Sequence, residues 1–429
     1  MLKNIYIKLS VLGILIIALE TVAEPIKWNT GLTILSTYII WLFNIILLFV
    51  WLKSKKYYVS KDQVKEMRFL TILLLWFSIT IFRGAFIADD YWTTKFLITN
   101  SFGLLLPVVA YLLTNNKVLQ LFLNVYVRYV LPMFLIFAFI IPQSTYAKYL
   151  IIGSVLILFI PAFKKRMRWT LILIILLSVA ITLASRGKIL TFIIPMILVV
   201  LYYFRVLISL KFWEFARKVV MFSPFILFYL AFTGGFNIFE MKKYIKSEYT
   251  TQVLDKGEVK TEDLLIDTRT MLYEEVLNSA YKNEYIIFGR TPARGNDTDK
   301  WDDQTEIFGK NERIANESGI LNVFTWSGII GIILYFLVFY KATYLSINKS
   351  NNIYSKMIGL FLAFRWFWSW VSEYSAFELS FLSIWILVAM SYSKSFRNMT
   401  NNEFKFWIRG ITDKRYRNHV FKAKKSFSR

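Results

Sequence analysis

The apolar residues of this chain arrive in long blocks, and no other feature constrains its fold as much. Leu32 to Leu52, Leu171 to Ala184, Val219 to Ala231 and Ile320 to Tyr340 run apolar for roughly the span of a bilayer helix. A water-soluble helix keeps its apolar residues to one stripe, whereas these blocks are apolar all round. Hydrocarbon accepts such a surface, because a helix satisfies its own backbone there. The pattern predicts an all-α polytopic membrane protein with about twelve transmembrane helices. Their spans are 5–20, 31–52, 69–87, 96–114, 118–140, 149–163, 169–184, 189–205, 219–233, 317–340, 356–371 and 375–392. The first apolar block lacks a small-residue cleavage site and a second follows closely, so no cleavable signal is expected.

Charge orients these helices. The formal charge is +23, which invites a nucleic-acid reading, but the cations are not gathered on one domain. The segments Met1–Lys8, Lys53–Arg68, Thr114–Lys117, Lys164–Arg168, Arg205–Lys218, Lys341–Lys356 and Lys394–Arg429 hold 31 of the 51 Lys and Arg, and 5 of the 28 acids. Twelve crossings bring every one of these segments to the same side. Lys and Arg in short loops mark the cytoplasmic face, so both termini are expected there and nucleic acid is not expected as a partner. The basic tail is expected to face anionic membrane lipids. Arg205 to Lys218 reads either as an interfacial helix or as the extension of a tilted crossing helix.

The opposite side has one connection far longer than its others. Gly234 to Asn316 carries 12 Lys and Arg against 16 acids and cannot span a membrane. A connection of that length is expected to fold. Within it, Leu264 to Tyr281 reads as a helix, and Asn283 to Asp303 as irregular, broken by Gly289, Pro292 and Gly295. The organisation is then nine helices over 1–233, an extracytoplasmic loop domain over 234–316, three helices over 317–392 and a basic tail over 393–429. Without cysteine, disulfides and thiolate metal sites are excluded, and the single histidine, His419, lies in the tail.

Three short motifs line up along the outer face. Ala184-Ser185-Arg186-Gly187-Lys188 makes a tight turn between two helices. Asp267-Thr268-Arg269 with Tyr273 opens the loop helix, and Phe288-Gly289-Arg290 follows it. Asn316-Glu317-Ser318-Gly319 leads into the next crossing helix, which contains Gly328 and Gly331. Over roughly residues 170–345 this arrangement resembles the bacterial O-antigen polymerase and O-antigen ligase superfamily, and the first half matches it in helix layout. Relatives enter the post-loop helix with a His-Asn pair where this chain has Asn316-Glu317, which favours polymerase over ligase.

The resemblance implies a fold like the GT-C membrane glycosyltransferases, in the bacterial inner membrane. It implies a polymerase that joins polyisoprenyl-diphosphate-linked oligosaccharide units into O-antigen or capsular polysaccharide at the outer face. The donor and acceptor glycans, membrane lipids, a chain-length regulator and a flippase are the implied partners. No cofactor and no metal is expected. An acceptor hydroxyl attacks the anomeric carbon and lipid diphosphate leaves. The alternatives are a ligase moving the glycan onto a lipid, and a lipid-linked-oligosaccharide flippase or transporter.

Diphosphate needs countercharge, and the planar fork of arginine pairs with it bidentately. Arg186 and Arg269 are therefore candidate catalytic cations, with Lys188, Arg290 and Tyr273 as candidate substrate contacts. Each has a plainer reading: Arg186 and Lys188 as interfacial anchors, and Arg269 as a partner of Glu274 or Glu275. Arg128 and Arg365 fall inside apolar blocks and are candidate substrate contacts, with a structural pair to an acid such as Glu373 or Glu378 as the plainer reading. Glu317 is the candidate general base, with Glu373 and Glu378 as rivals. Trp366 is a candidate sugar-stacking face or a member of the interfacial belt, and Glu373 a candidate substrate contact. Asn296, Asp297, Asp299, Asp302 and Asp303 lack the glycine and terminal glutamate of a calcium loop, so a solvated acidic loop is expected.

Overall fold

The computed structural model describes residues 2–31, 33, 35–181, 186–240, 250–255, 258–263, 269–298, 309–373 and 375–417. Among these residues, seven helices are long and apolar enough to cross a membrane: Ile5–Lys27, Thr37–Tyr58, Arg68–Ala85, Tyr91–Leu113, Asn116–Phe137, Leu210–Phe232 and Gly319–Asn348. Thr145–Ile157, Ile189–Tyr203 and Leu379–Tyr392 are shorter apolar helices beside them. The chain is an all-α, multi-pass membrane protein, with fewer full-length crossing helices among the described residues than the twelve expected.

Local chemistry explains the shortfall. Pro161 sits in a 3-10 turn that follows Gln143–Ile157. Lys165–Ile181 carries Lys165, Arg166 and Arg168 in its first turn. Ile353–Trp368 reaches only sixteen residues before the chain turns. The helix expected somewhere in 205–218 starts at Leu210, capped by Ser209, and runs on as a crossing helix. The extension reading therefore holds.

Leu379–Tyr392 is buried along its whole length, packed against Gln143–Ile157, Ile353–Trp368 and Gly319–Asn348. The long helix Gly319–Asn348 also packs on Arg68–Ala85 and Leu210–Phe232. Gly328 breaks it with a φ of 66°, outside the helical region. A break inside a buried helix strands carbonyl oxygens, and an orphaned carbonyl there is costly. The outer loop and the helix Arg68–Ala85 answer this. Arg290 N donates to Thr325 O at 2.6 Å, Thr291 N to Trp326 O at 3.3 Å, and Trp76 Nε1 to Ser327 O at 2.9 Å. Gly289, with a φ of 73°, lies so close to this break that a Cβ would collide with Ser327 N. Glycine is required there by backbone packing.

The loop domain is thus built into the helix bundle. Arg83 Nη1 donates to Phe288 O at 2.8 Å, Asn100 Nδ2 donates to Pro292 O at 3.0 Å, and Lys310 Nζ reaches Asp89 at 3.0 Å and Asp90 at 2.8 Å. Among its described residues are the helix Arg269–Lys282 and two small antiparallel strand pairs, Thr250–Asp255 with Glu258–Asp263 and Asn296–Asp297 with Glu312–Arg313.

Hydrogen bonding and charge from Lys310 hold the Asp89 and Asp90 carboxyls below their ordinary values. A depressed folded pKa stabilises above the unfolded value and is lost as pH falls through the folded one. Amide exchange at 309–313, taken relative to the intrinsic rate at each pH, is therefore expected to quicken as pH drops below about 4, the unfolded aspartate value. Lys310→Met should show fast exchange already at neutral pH and little further change with acid. Equal acid sensitivity in both proteins would show that Lys310 does not latch the loop.

At the opposite end of the bundle the first part of the tail is docked. Asn401–Thr412 opens with a capping box from Thr400 and Glu403 and buries Phe404, Trp407, Ile408 and Ile411. Gln120 Nε2 donates to Trp407 O and Asn124 Nδ2 to Ile411 O, both at 2.6 Å, and Arg409 Nε donates to Ala162 O at 3.1 Å. This stretch packs on the protein, where a lipid-facing tail was expected. His419 lies outside the described residues.

Candidate functional site

The sharp turn between Ile353–Trp368 and Leu379–Tyr392 creates a charged recess on the loop side of the bundle. A cavity of about 360 Å³ opens there, lined by Ala147, Lys148, Ile151, Thr191, Arg269, Glu317, Trp368, Ser372, Glu373, Glu378 and Ser380. Each acid has a cationic neighbour. Arg269 Nη2 stands 3.9 Å from Glu317 Oε2, Lys148 Nζ is 3.6 Å from Glu378 Oε2, and Arg365 Nε donates to Glu373 Oε1 at 2.6 Å.

The three pairs differ in burial, and that sets their chemistry. Arg365 is fully buried and Glu373 nearly so, with Arg365 also donating to Ser383 Oγ at 3.0 Å. Glu317 is 64% exposed, so its carboxylate is available to a ligand at the mouth. Burial pushes the Glu373 carboxyl up, opposed by the adjacent guanidinium. A carboxyl raised in this way is suited to taking or giving a proton.

Backbone geometry places these side chains. Arg269 is the first residue of the loop helix, and its Nε donates to Val371 O at 3.0 Å. One turn on, the Tyr273 hydroxyl donates to Trp370 O at 2.7 Å, and Ser318 Oγ donates to Ser369 O at 3.0 Å. The loop helix and the start of Gly319–Asn348 are thereby sewn to the 369–373 turn. Glu373 N donates to Glu317 O at 3.2 Å and holds a φ of 136°, in the region that favours glycine. Such a conformation costs about 1–3 kcal/mol and persists where the surroundings enforce it. Gly319 is part of that enforcement, since a Cβ there would stand 2.9 Å from Glu373 O.

The same turn has an apolar back. A groove of about 360 Å³ runs between the loop helix and the ends of Leu210–Phe232 and Ile353–Trp368, lined by Pro224, Leu227, Phe228, Phe239, Tyr273, Leu277, Phe367, Trp370 and Val371 among others. Phe367, Trp370 and Val371 face the groove, while Trp368, Ser372 and Glu373 face the charged cavity. One short wall therefore separates an apolar channel from a polar one.

The sequence candidates distribute unevenly over this geometry. Arg269, Glu317 and Glu373 line the cavity, Arg365 stands behind Glu373, and Tyr273 lines the groove. Helix Arg186–Tyr203 begins at Arg186, about 7.5 Å of helical rise from Thr191 in the cavity wall. The side chains of Arg186, Gly187 and Lys188, and the whole of Ser185, Asp267, Thr268, Asp299, Asp302 and Asp303, lie outside the described residues.

Three candidates are placed elsewhere. Arg290 is held inside the loop domain, 2.6 Å from Asp297 Oδ1 and 3.4 Å from Glu312 Oε1. Trp366 is buried, its indole donating to Met221 O at 3.0 Å. Arg128 was expected to be a buried intramembrane cation, but it is exposed on a π-turn and lies 5.5 Å from the Tyr129 ring. Burial, and then the charge of Arg128, lowers the Arg417 pKa, which puts Arg128 beside the tail. A one-residue widening of the helix at Tyr126–Val130 turns it there, a shift that a regular periodicity cannot express.

Lys148 and Thr191 were missed as site residues. Lysine at an outer helix end runs against the positive-inside trend, and that contradiction was the available signal. Among the described residues, no group of three or more His, Asp or Glu is placed to hold a metal ion. No protein-family model, curated protein or solved structure matches this chain.

Proposed function

We propose that this protein is a membrane glycosyltransferase that polymerises glycan units carried on a polyisoprenyl diphosphate. The observation that carries the reading is the shared wall at 367–373, with the apolar groove on one side and the charged cavity on the other. A lipid-diphosphate glycan has the same division, with an apolar tail, a polyanionic centre and a polar sugar. The motif resemblance around Arg186, Arg269 and Glu317 supports the same assignment.

In this reading Arg269 and Lys148 receive the diphosphate, joined by Arg186 at the opening of its helix. The bond from the anomeric carbon to the diphosphate oxygen breaks as the acceptor hydroxyl oxygen bonds to that carbon. The hydroxyl proton passes to a carboxylate, Glu317 at the mouth or Glu373 within, and the leaving diphosphate keeps the electron pair. Fixed cations stabilise that charge without reorganising, and electrostatic stabilisation of this kind is usually what lowers such a barrier most.

The reading also takes the three shorter apolar helices, with Lys165–Ile181 and Ile353–Trp368, as crossings that complete a set of twelve. Both termini are then cytoplasmic, in a bacterial inner membrane, with the cavity on the outer face. Purified protein given lipid-diphosphate repeat units should yield a ladder of products spaced by one unit. A single transfer onto another lipid would make it a ligase instead, and no transfer would sink the enzyme reading. Epitope tags inserted at 258–263 should be reached from outside the inner membrane, and tags after Lys394 should not. Both tags on one face would overturn the orientation.

A further inference from the structure

We propose that the end of the bundle opposite the charged cavity carries a second anion site, which binds a phosphate group. Gly319–Asn348 and Leu379–Tyr392 start beside the charged cavity and end beside a bowl of about 780 Å³. Three connections build the bowl: Ser60 to Glu66, Asn348 to Asn351, and Lys394 to Asn398.

The floor is Arg397, which is 4% exposed. Its Nη2 donates to both Glu66 oxygens, at 2.7 and 2.8 Å, and its Nη1 to Lys349 O at 3.3 Å, so it ties the three connections together. Asn351 N donates to Arg397 O at 2.8 Å and closes the frame. The frame leaves two buried polar atoms without a hydrogen-bond partner among the described residues, Arg397 Nε and the Ser350 hydroxyl. Buried polar atoms are nearly always satisfied, by protein, ordered water or an ion, so this pair marks where an acceptor can enter the frame.

The rim states the sign of that acceptor. Lys65, Lys349 and Lys394 line the bowl, and none of them has an ion pair with another described residue. Glu66 is neutralised by Arg397, which leaves Asp62 as the one unpaired acid of the lining among the described residues. Three lysines and a hydroxyl, above a guanidinium already paired with Glu66, fit an oxyanion with several acceptor oxygens. Phosphate matches that set, and lysine binds it as a point charge. The chemistry is shared by a phospholipid headgroup of the adjoining leaflet and by a soluble phosphate compound. The site is independent of the proposed transfer reaction and of Arg269.

The test uses the full chain in phosphatidylcholine nanodiscs, as wild type, as Lys349→Gln with Lys394→Gln, and as Arg269→Gln. Both lysines are exposed, so the double variant should fold, and helix content checks this. Inorganic pyrophosphate is titrated calorimetrically, and phosphatidylglycerol doped into the discs is followed by its retention in native mass spectrometry. The cavity at Arg269 is itself expected to take pyrophosphate, so the double variant should lose one of two pyrophosphate sites, or bind phosphatidylglycerol about tenfold more weakly than wild type. Arg269→Gln should keep the site that the double variant loses. Loss of pyrophosphate binding assigns the site to a soluble phosphate, and loss of phosphatidylglycerol assigns it to the lipid. Binding of both probes unchanged in the double variant, or lost equally in Arg269→Gln, would overturn the proposal.

Discussion

Replacing Arg365 with leucine should lower stability by about 3–5 kcal/mol, because the nearly buried Glu373 then loses its cation. Glu373 must stay charged without a partner or take up a proton, and Ser383 Oγ and Ser380 O lose a donor as well. The double variant Arg365→Met with Glu373→Gln removes both charges and most of the desolvation cost. It should recover more than half of the loss in thermal unfolding followed in detergent. A double variant as unstable as the single one would mean that Arg365 acts through packing alone. The Arg365→Leu defect should also ease as pH falls, since protonation of Glu373 relieves the unpaired charge. Wild type should gain less in this way, because the adjacent Arg365 guanidinium opposes the rise in its Glu373 carboxyl.

Much of the architecture was legible because it follows from solvent. An apolar block of bilayer length has few folded alternatives, and Thr37–Tyr58 and Gly319–Asn348 overlap the blocks Leu32 to Leu52 and Ile320 to Tyr340, each extending past the C-terminal end of its block. The loop helix was legible too, with Arg269 in its first turn. Composition could not show which loop residues serve the bundle. Gly289 and Arg290 stand out beside each other in the sequence, yet Gly289 allows a backbone to approach the Gly328 break and Arg290 braces Asp297.

The site itself was half legible. Residue type and place single out Arg269, Glu317, Glu373 and Arg365, and all four gather at the 369–373 turn. In the sequence Lys148 is no more than the edge of a connection, because its partner Glu378 is 230 residues away and only the fold brings them to 3.6 Å. Arg128 misleads because position within an apolar block does not say which way a side chain faces.

The second large effect is expected at Arg269. Its guanidinium does two things at once, donating from Nε to Val371 O and presenting Nη2 to Glu317 and the cavity. A lysine there has one ammonium and cannot brace the turn while also meeting a ligand. If diphosphate is the leaving group, Arg269→Lys should lower the single-turnover rate by about a hundredfold, the scale on which a fixed charge-stabilising donor matters. Folding should survive, because the exposed pair with Glu317 adds little stability. Glu317→Gln separates the roles of the two residues. Should Glu317 accept the acceptor proton, glutamine there leaves donor binding intact and lowers the rate even at saturating substrate. Should Glu373 be the base, Glu317→Gln turns over near the wild-type rate and Glu373→Gln does not. The deciding measurement is single-turnover product formation beside donor binding for all three variants, each first checked for helix content. Arg269→Lys at the wild-type rate would show that the cavity does not hold the leaving diphosphate, and the polymerase reading would then lose its main support. The Arg269 outcome is the more informative one, because a departing diphosphate needs countercharge whichever carboxylate takes the proton.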